Sequence, residues 1–169
     1  MEIRWYLLAV IAMQFIVLLF GLLGHGNEIK KSGNTHAGLW KVCVGDSCSE
    51  VKKSSFPDSK DWQDTQAARA FLILSHFAGV AVMAQLILAT LSMIKATLRV
   101  AIHSVTCVIQ AFCLGIAVFL MTGLPLGTDM GWSQILAWVA FIFACLILPA
   151  GCTQIDEDGK EVTDVNEDK

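Results

Sequence analysis

Two cysteines stand close together in a long polar stretch of the 169-residue chain. Cys43 and Cys48 flank a Gly45-Asp46 pair, which is typical of a turn, and the residues around Cys43 are mostly strand formers such as Val42. A hairpin would place the two cysteines opposite each other, near disulfide distance. A bridge that closes so short a ring contributes only about 2 kcal/mol, so it would shape a hairpin rather than hold a domain together. The alternative is two free thiols.

A second group of chemically capable residues lies within long apolar stretches. These are two histidines, His76 and His103, and three glutamines, Gln14, Gln85 and Gln110. An ionisable group inside a membrane could line a pathway or respond to pH. However, no carboxylate accompanies either histidine in its stretch, so a proton relay is poorly supported. The favoured interpretation is hydrogen bonding between helices, each bond contributing about 0.6–2 kcal/mol.

The rest of the sequence contains no motif that indicates catalysis or cofactor binding. There is no metal-ligand spacing, phosphate-binding loop or nucleophile–base pair, and we predict neither an enzyme, nor a cofactor, nor a nucleic-acid partner. Asp156, Asp158 and Gly159 resemble part of a calcium loop, but the glycine is at the wrong spacing. Cys152 follows the last apolar stretch and is a candidate palmitoylation site, the alternative being an unmodified thiol.

Four long apolar blocks must position these residues. The mean hydropathy of the chain is +0.61, and charge is concentrated between the blocks. Runs of about 18 or more apolar residues indicate transmembrane helices, because lipid leaves backbone polar groups no partner outside the helix. The predicted spans cover residues 5–24, 70–94, 100–123 and 132–150. They form a membrane domain over residues 1–152. A cleaved signal peptide is the alternative for the first span, but a signal core is shorter, about 7–15 residues.

The loops and the tail give the predicted topology. Lys95 and Arg99 lie in the shortest loop and Arg4 precedes the first span, so the positive-inside rule places both termini in the cytoplasm. Residues 25–69 then form a long extracellular loop, an oxidising location that permits the Cys43–Cys48 bridge. Residues 153–169 are strongly acidic and are predicted to be a disordered cytoplasmic tail.

The loop also carries a family resemblance. Gly38-Leu39-Trp40, followed by Cys43 and Cys48, resembles the signature of the claudin superfamily, which includes claudins, peripheral myelin and epithelial membrane proteins, the lens-fibre intrinsic protein and calcium-channel gamma subunits. The segment from Gln66 to Ala70, with Arg69, is similar to the segment that opens the second claudin span. The resemblance implies an all-α four-helix transmembrane bundle with a small extracellular antiparallel sheet from the first loop.

The resemblance also implies a structural rather than a catalytic function. We expect a structural protein of the plasma membrane that acts in cell–cell junctions, adhesion or barrier formation, in contact with lipid and with itself or related tetraspan proteins in cis and trans. The expected contact residues in the loop are Val42, Val44, Phe56 and Trp62. One alternative is a regulatory subunit of a larger channel, similar to the calcium-channel gamma subunits. A third hypothesis is a small channel or transporter.

For Arg69 the sequence leaves two roles open. Ala-rich sequence around it favours helix, so the second span is expected to extend beyond the membrane with Arg69 at the outer boundary. There the side chain could serve as an interfacial anchor or pair with an acidic residue of the loop.

Overall fold

Four apolar helices dominate the chain. The computed structural model describes residues 5–24, 30–56, 58–90, 96–124 and 129–147. The helices are α1 (Trp5–Gly24), α2 (Ser59–Thr90), α3 (Ala96–Gly123) and α4 (Trp132–Ile147). The positions of α1, α3 and α4 follow the apolar blocks, while α2 begins at Ser59, well before its apolar block does. This early start agrees with the expected extension of the second span. Cys152 and the tail at residues 153–169 lie outside the described residues.

The outer faces of the helices are apolar. Phe15 on α1, Phe77 on α2 and Phe112 and Phe119 on α3 each expose 60% or more of their surface. The stretches Ser59–Leu88 and Ile102–Gly123 are long and apolar enough to cross a membrane, and the apolar parts of α1 and α4 are shorter. Exposed aromatic side chains in such numbers are unfavourable in water and favourable in lipid.

The interior of the bundle includes an α2–α3 interface that is more extensive than the α1–α2 interface. Its fully buried side chains include Leu72 on α2 and Leu114 and Met121 on α3. The fourth helix packs on α3 through an edge-to-face contact between Trp138 and Phe119, whose ring centroids are 5.3 Å apart. All four helices contribute buried residues to this core, including Val17 on α1 and Ala140 on α4.

A five-stranded antiparallel sheet joins the two loops at one end of the bundle. The strands are β1 (Lys30–Ser32), β2 (Thr35–Ala37), β3 (Lys41–Val44), β4 (Ser47–Glu50) and β5 (Asp129–Met130). Their spatial order is β4-β3-β2-β1-β5. Four strands come from the first long loop, for which the sequence predicts a small antiparallel sheet, and the fifth, which was not predicted, comes from the loop between α3 and α4. Strands β1 and β5 pair with Lys30 opposite Met130, so the first loop and the loop between α3 and α4 belong to the same sheet.

Candidate functional site: the junction between sheet and bundle

The bridged hairpin is the first part of the site. Cys43 on β3 lies directly opposite Cys48 on β4, and their sulfurs are bonded at 2.03 Å. Between them Gly45 adopts a left-handed conformation with φ of 58°, which glycine tolerates best, and its N–H donates to the carbonyl of Asn34 at 3.0 Å. The turn chemistry that the sequence indicated therefore forms the tip of this hairpin.

The Gly38-Leu39-Trp40 segment connects β2 to β3 and faces the helices. The Gly38 N–H donates to the Lys41 carbonyl at 2.8 Å, which closes a tight turn. Leu39 is fully buried in the core of the bundle, while Trp40 keeps 39% of its surface exposed. Because Leu39 is held by packing, its carbonyl has a fixed position from which to accept hydrogen bonds.

Arg69 on α2 binds that carbonyl. Its Nε and Nη2 both donate to the Leu39 oxygen, Nε at 3.0 Å, and Nη2 also lies 3.4 Å from the Val51 oxygen. The Val51 N–H in turn donates to the Trp40 carbonyl at 2.9 Å, which ties the two ends of the β3–β4 hairpin together. Arg69 therefore holds both ends of the hairpin to α2, although the chain separates it from Leu39 by 30 residues.

Two indole rings stack on the same guanidinium. The Arg69 Cζ lies 4.5 Å from the ring centroid of Trp40 and 5.4 Å from that of Trp62, within the range of cation–π attraction. Phe56 packs on Trp62 with centroids 6.1 Å apart. The Arg69 side chain is buried, and its partners among the described residues are main-chain carbonyls and aromatic rings rather than an acidic residue of the loop.

The four loop residues that the sequence analysis predicts to contact a partner differ in side-chain exposure. Val44, at the end of β3, exposes 60% of its surface, and Val42 is half-buried. Trp62 is half-buried, and its ring lies against the Arg69 guanidinium. Phe56 is only 8% exposed, so it does not fit the role of a surface contact, and its ring packs on Trp62. Val44 remains the best candidate.

The buried glutamines hydrogen-bond between helices. Gln14 on α1 reaches Gln110 on α3 at 3.2 Å, and Thr106 on α3 donates to Gln85 on α2 at 3.1 Å. A further bond was missed by the sequence analysis: Gln134 on α4 donates to the Thr122 hydroxyl at 2.8 Å. The signal for it was present, since a glutamine within an apolar block requires a partner.

Within the described residues, no group of three or more His, Cys, Asp or Glu side chains could hold a metal ion. The arrangement attaches the bridged hairpin to α2, which continues into the bundle.

Comparison with known families decides the classification. Residues 4–148 match the model of the PMP-22/EMP/MP20/Claudin family, a range that includes all four described helices and the whole sheet. The chain belongs to this family. It is therefore a multi-pass, four-span membrane protein of the claudin type, and the lipid bilayer is its solvent. The claudin family is non-enzymatic, which confirms the prediction that the protein is not an enzyme. No curated protein matches the chain.

Proposed function

We propose that this claudin-family protein is a structural component of cell–cell contacts in the plasma membrane, acting through its sheet. The observation that carries the proposal is the junction at Arg69, which couples a disulfide-bridged sheet to α2. A protein that transmits adhesion needs an exposed surface that keeps its shape and is attached to its membrane anchor. The sheet and Arg69 together supply both properties.

The exposed surface of the sheet suits contact with another protein. All four residues of β4 (Ser47–Glu50) are exposed, and β4 is an edge strand of the sheet. On the neighbouring strand β3, Val44 lies opposite Ser47 of β4 and exposes an apolar side chain. In the proposed topology the termini are cytoplasmic, as the positive charges of Lys95 and Arg99 favour, and the sheet faces the outside. Partners in cis and trans would be further copies or related tetraspan proteins.

Expression of the tagged full chain in non-adherent cells tests the proposal. We expect enrichment at cell contacts and increased cell aggregation. Val44→Glu should abolish both, because contact would bury an unpaired carboxylate. Gln63→Glu is the matched control: it adds the same charge at an exposed site on α2, outside the strands of the sheet, and should leave enrichment unchanged.

One result would overturn the proposal, and two others would favour the alternative functions. A uniform surface distribution of the wild-type protein, without aggregation, would exclude the adhesive role. Co-purification with a larger channel, together with that uniform distribution, would favour the regulatory-subunit hypothesis instead. Ion flux through reconstituted liposomes would favour the small channel or transporter.

A further inference from the structure

A histidine lies beside the disulfide bridge on the same face of the sheet. The register of β2 and β3 sets His36 directly opposite Cys43, and the register of β3 and β4 sets Cys43 directly opposite Cys48. Residues opposite each other in an antiparallel pair project from the same face, with Cβ atoms about 4.5–5.5 Å apart. The three residues therefore form one row across three strands, with an imidazole on one side of Cys43 and the bridge on the other.

The two ends of the bridge differ in how open they are. Cys48 is exposed, whereas Cys43 is half-buried. All four residues of β4 are exposed, and β4 is an edge strand of the sheet, so no strand lies on its outer side. The side of Cys43 that points away from the bridge is occupied by β2, where His36 is placed. Of the two cysteines, Cys48 is therefore the one that a molecule from solvent can reach.

This asymmetry matters for thiol–disulfide exchange. A thiolate attacks one sulfur of a disulfide in line with the bond, and the other sulfur leaves; the rate depends on access and on how well the leaving thiolate is stabilised. The bond between the two sulfurs points from β3 towards β4. Attack on Cys48 comes from the open edge and expels Cys43 next to His36. Attack on Cys43 would have to come from the side of β2.

His36 can assist the departure of the sulfur beside it. A thiolate next to a histidine is stabilised by the imidazolium, which can also supply a proton to it. The other charged residues at positions of this face occur as opposite pairs. Lys41 on β3 faces Glu50 on β4, and Lys31 on β1 faces Asp129 on β5. Each of these pairs has no net formal charge, so the histidine is the group in the row that can add positive charge at the leaving sulfur.

We propose that the bridge is a redox-responsive site, at which a low-molecular-weight thiol forms a mixed disulfide with Cys48. The thiolate sulfur bonds to Sγ of Cys48, the bond between the two cysteines breaks with its electron pair on Sγ of Cys43, and that sulfur takes the proton of the His36 imidazolium. A second thiolate attacks the added sulfur and releases Cys48 as a thiolate. Two small thiols are thereby oxidised to their disulfide, and the bridge is reduced. The inference does not depend on the proposed role in cell contacts.

The position of the adduct tests the geometry in the wild-type protein. The full chain in lipid nanodiscs is treated with excess reduced glutathione, stopped at early times with N-ethylmaleimide and cleaved before Asp46, which separates the two cysteines. Mass spectrometry should find glutathione on Cys48 and maleimide on Cys43. In the chain unfolded by denaturant this preference should disappear, because the edge and the row no longer exist. An adduct mainly on Cys43 of the folded chain, or no adduct, would overturn the proposal.

Three variants test the part played by His36. His36→Gln removes the titrating group and should slow formation of the adduct about tenfold or more, as expected on loss of a positioned proton donor. His36→Lys keeps a positive charge at the position and should restore most of the rate. Thr35→Gln is the matched control, because Thr35 precedes His36 on β2 and lies on the opposite face, paired with Val44; its rate should equal that of the wild type.

In His36→Gln the adduct should still form on Cys48, because the edge stays open, and this preference reports that the sheet is intact. A rate in His36→Gln equal to or higher than that of the wild type would overturn the role of His36. So would a rate in His36→Lys as low as that in His36→Gln, since the charge would then have no effect on the reaction.

Discussion

Replacing Arg69 by methionine should detach the hairpin from α2. The guanidinium donates twice to the Leu39 carbonyl, approaches the Val51 carbonyl and lies against Trp40 and Trp62. A hydrogen bond from a charged donor contributes about 1.5–3 kcal/mol, and each cation–π contact adds about 0.5–2 kcal/mol, the upper value applying to desolvated pairs. The desolvation of the buried arginine offsets part of this gain. We therefore expect Arg69→Met to lower the free energy of opening the junction by about 3 kcal/mol, or about a hundredfold in its equilibrium constant.

Hydrogen exchange at the Val51 amide measures that opening. This N–H donates to the Trp40 carbonyl and is exposed to exchange only when the junction opens. In nanodiscs, Arg69→Met should accelerate its exchange about a hundredfold by the same arithmetic. Arg69→Lys should have an intermediate effect, because an ammonium keeps the charge but lacks the planar fork. Lys60→Met removes a charge at an exposed site on α2 and should change nothing. Unchanged exchange at Val51 in Arg69→Met would refute the role of Arg69 as the link.

Two further changes test the packing and the bridge. Gly79→Ala should destabilise the bundle by about 1–3 kcal/mol in detergent unfolding, because its Cβ would lie 2.8 Å from Nε2 of Gln110. Gly123→Ala meets nothing within 4 Å and should be neutral; equal effects of the two would contradict the packing argument. Cys43→Ser together with Cys48→Ser should lower the stability of the hairpin by about 2 kcal/mol, seen as faster local hydrogen exchange, while the helices stay unchanged. Global unfolding on loss of the bridge would show that it holds more than the hairpin.

Hydropathy predicts the bundle well, because lipid imposes a helix on every long apolar stretch. The local pattern of turn and strand residues also predicts the bridged hairpin, since Cys43, Gly45 and Cys48 are neighbours in sequence. These features depend on residues close together in the chain. The same is true of the extension of α2, which follows from the helix-forming sequence before its apolar block.

Long-range partners could not be predicted. Arg69 and Leu39 meet only after the hairpin folds onto α2, and β5 joins the sheet only because α3 and α4 return the chain to β1. Likewise, the sequence indicates that Gln14 needs a partner in another helix but not that Gln110 supplies it. The burial of Phe56 has the same origin, because its neighbour Trp62 is positioned by α2.

Cysteine labelling in intact cells tests the central claim most directly, namely that a bridged sheet lies outside the cell on a four-span bundle. Ser54→Cys introduces a thiol at an exposed site of the long loop. A membrane-impermeant maleimide should label it without permeabilisation, whereas Cys43 and Cys48 should react only after a reductant is added. Labelling of the introduced cysteine only after permeabilisation, or reaction of Cys43 and Cys48 without reductant, would contradict the account.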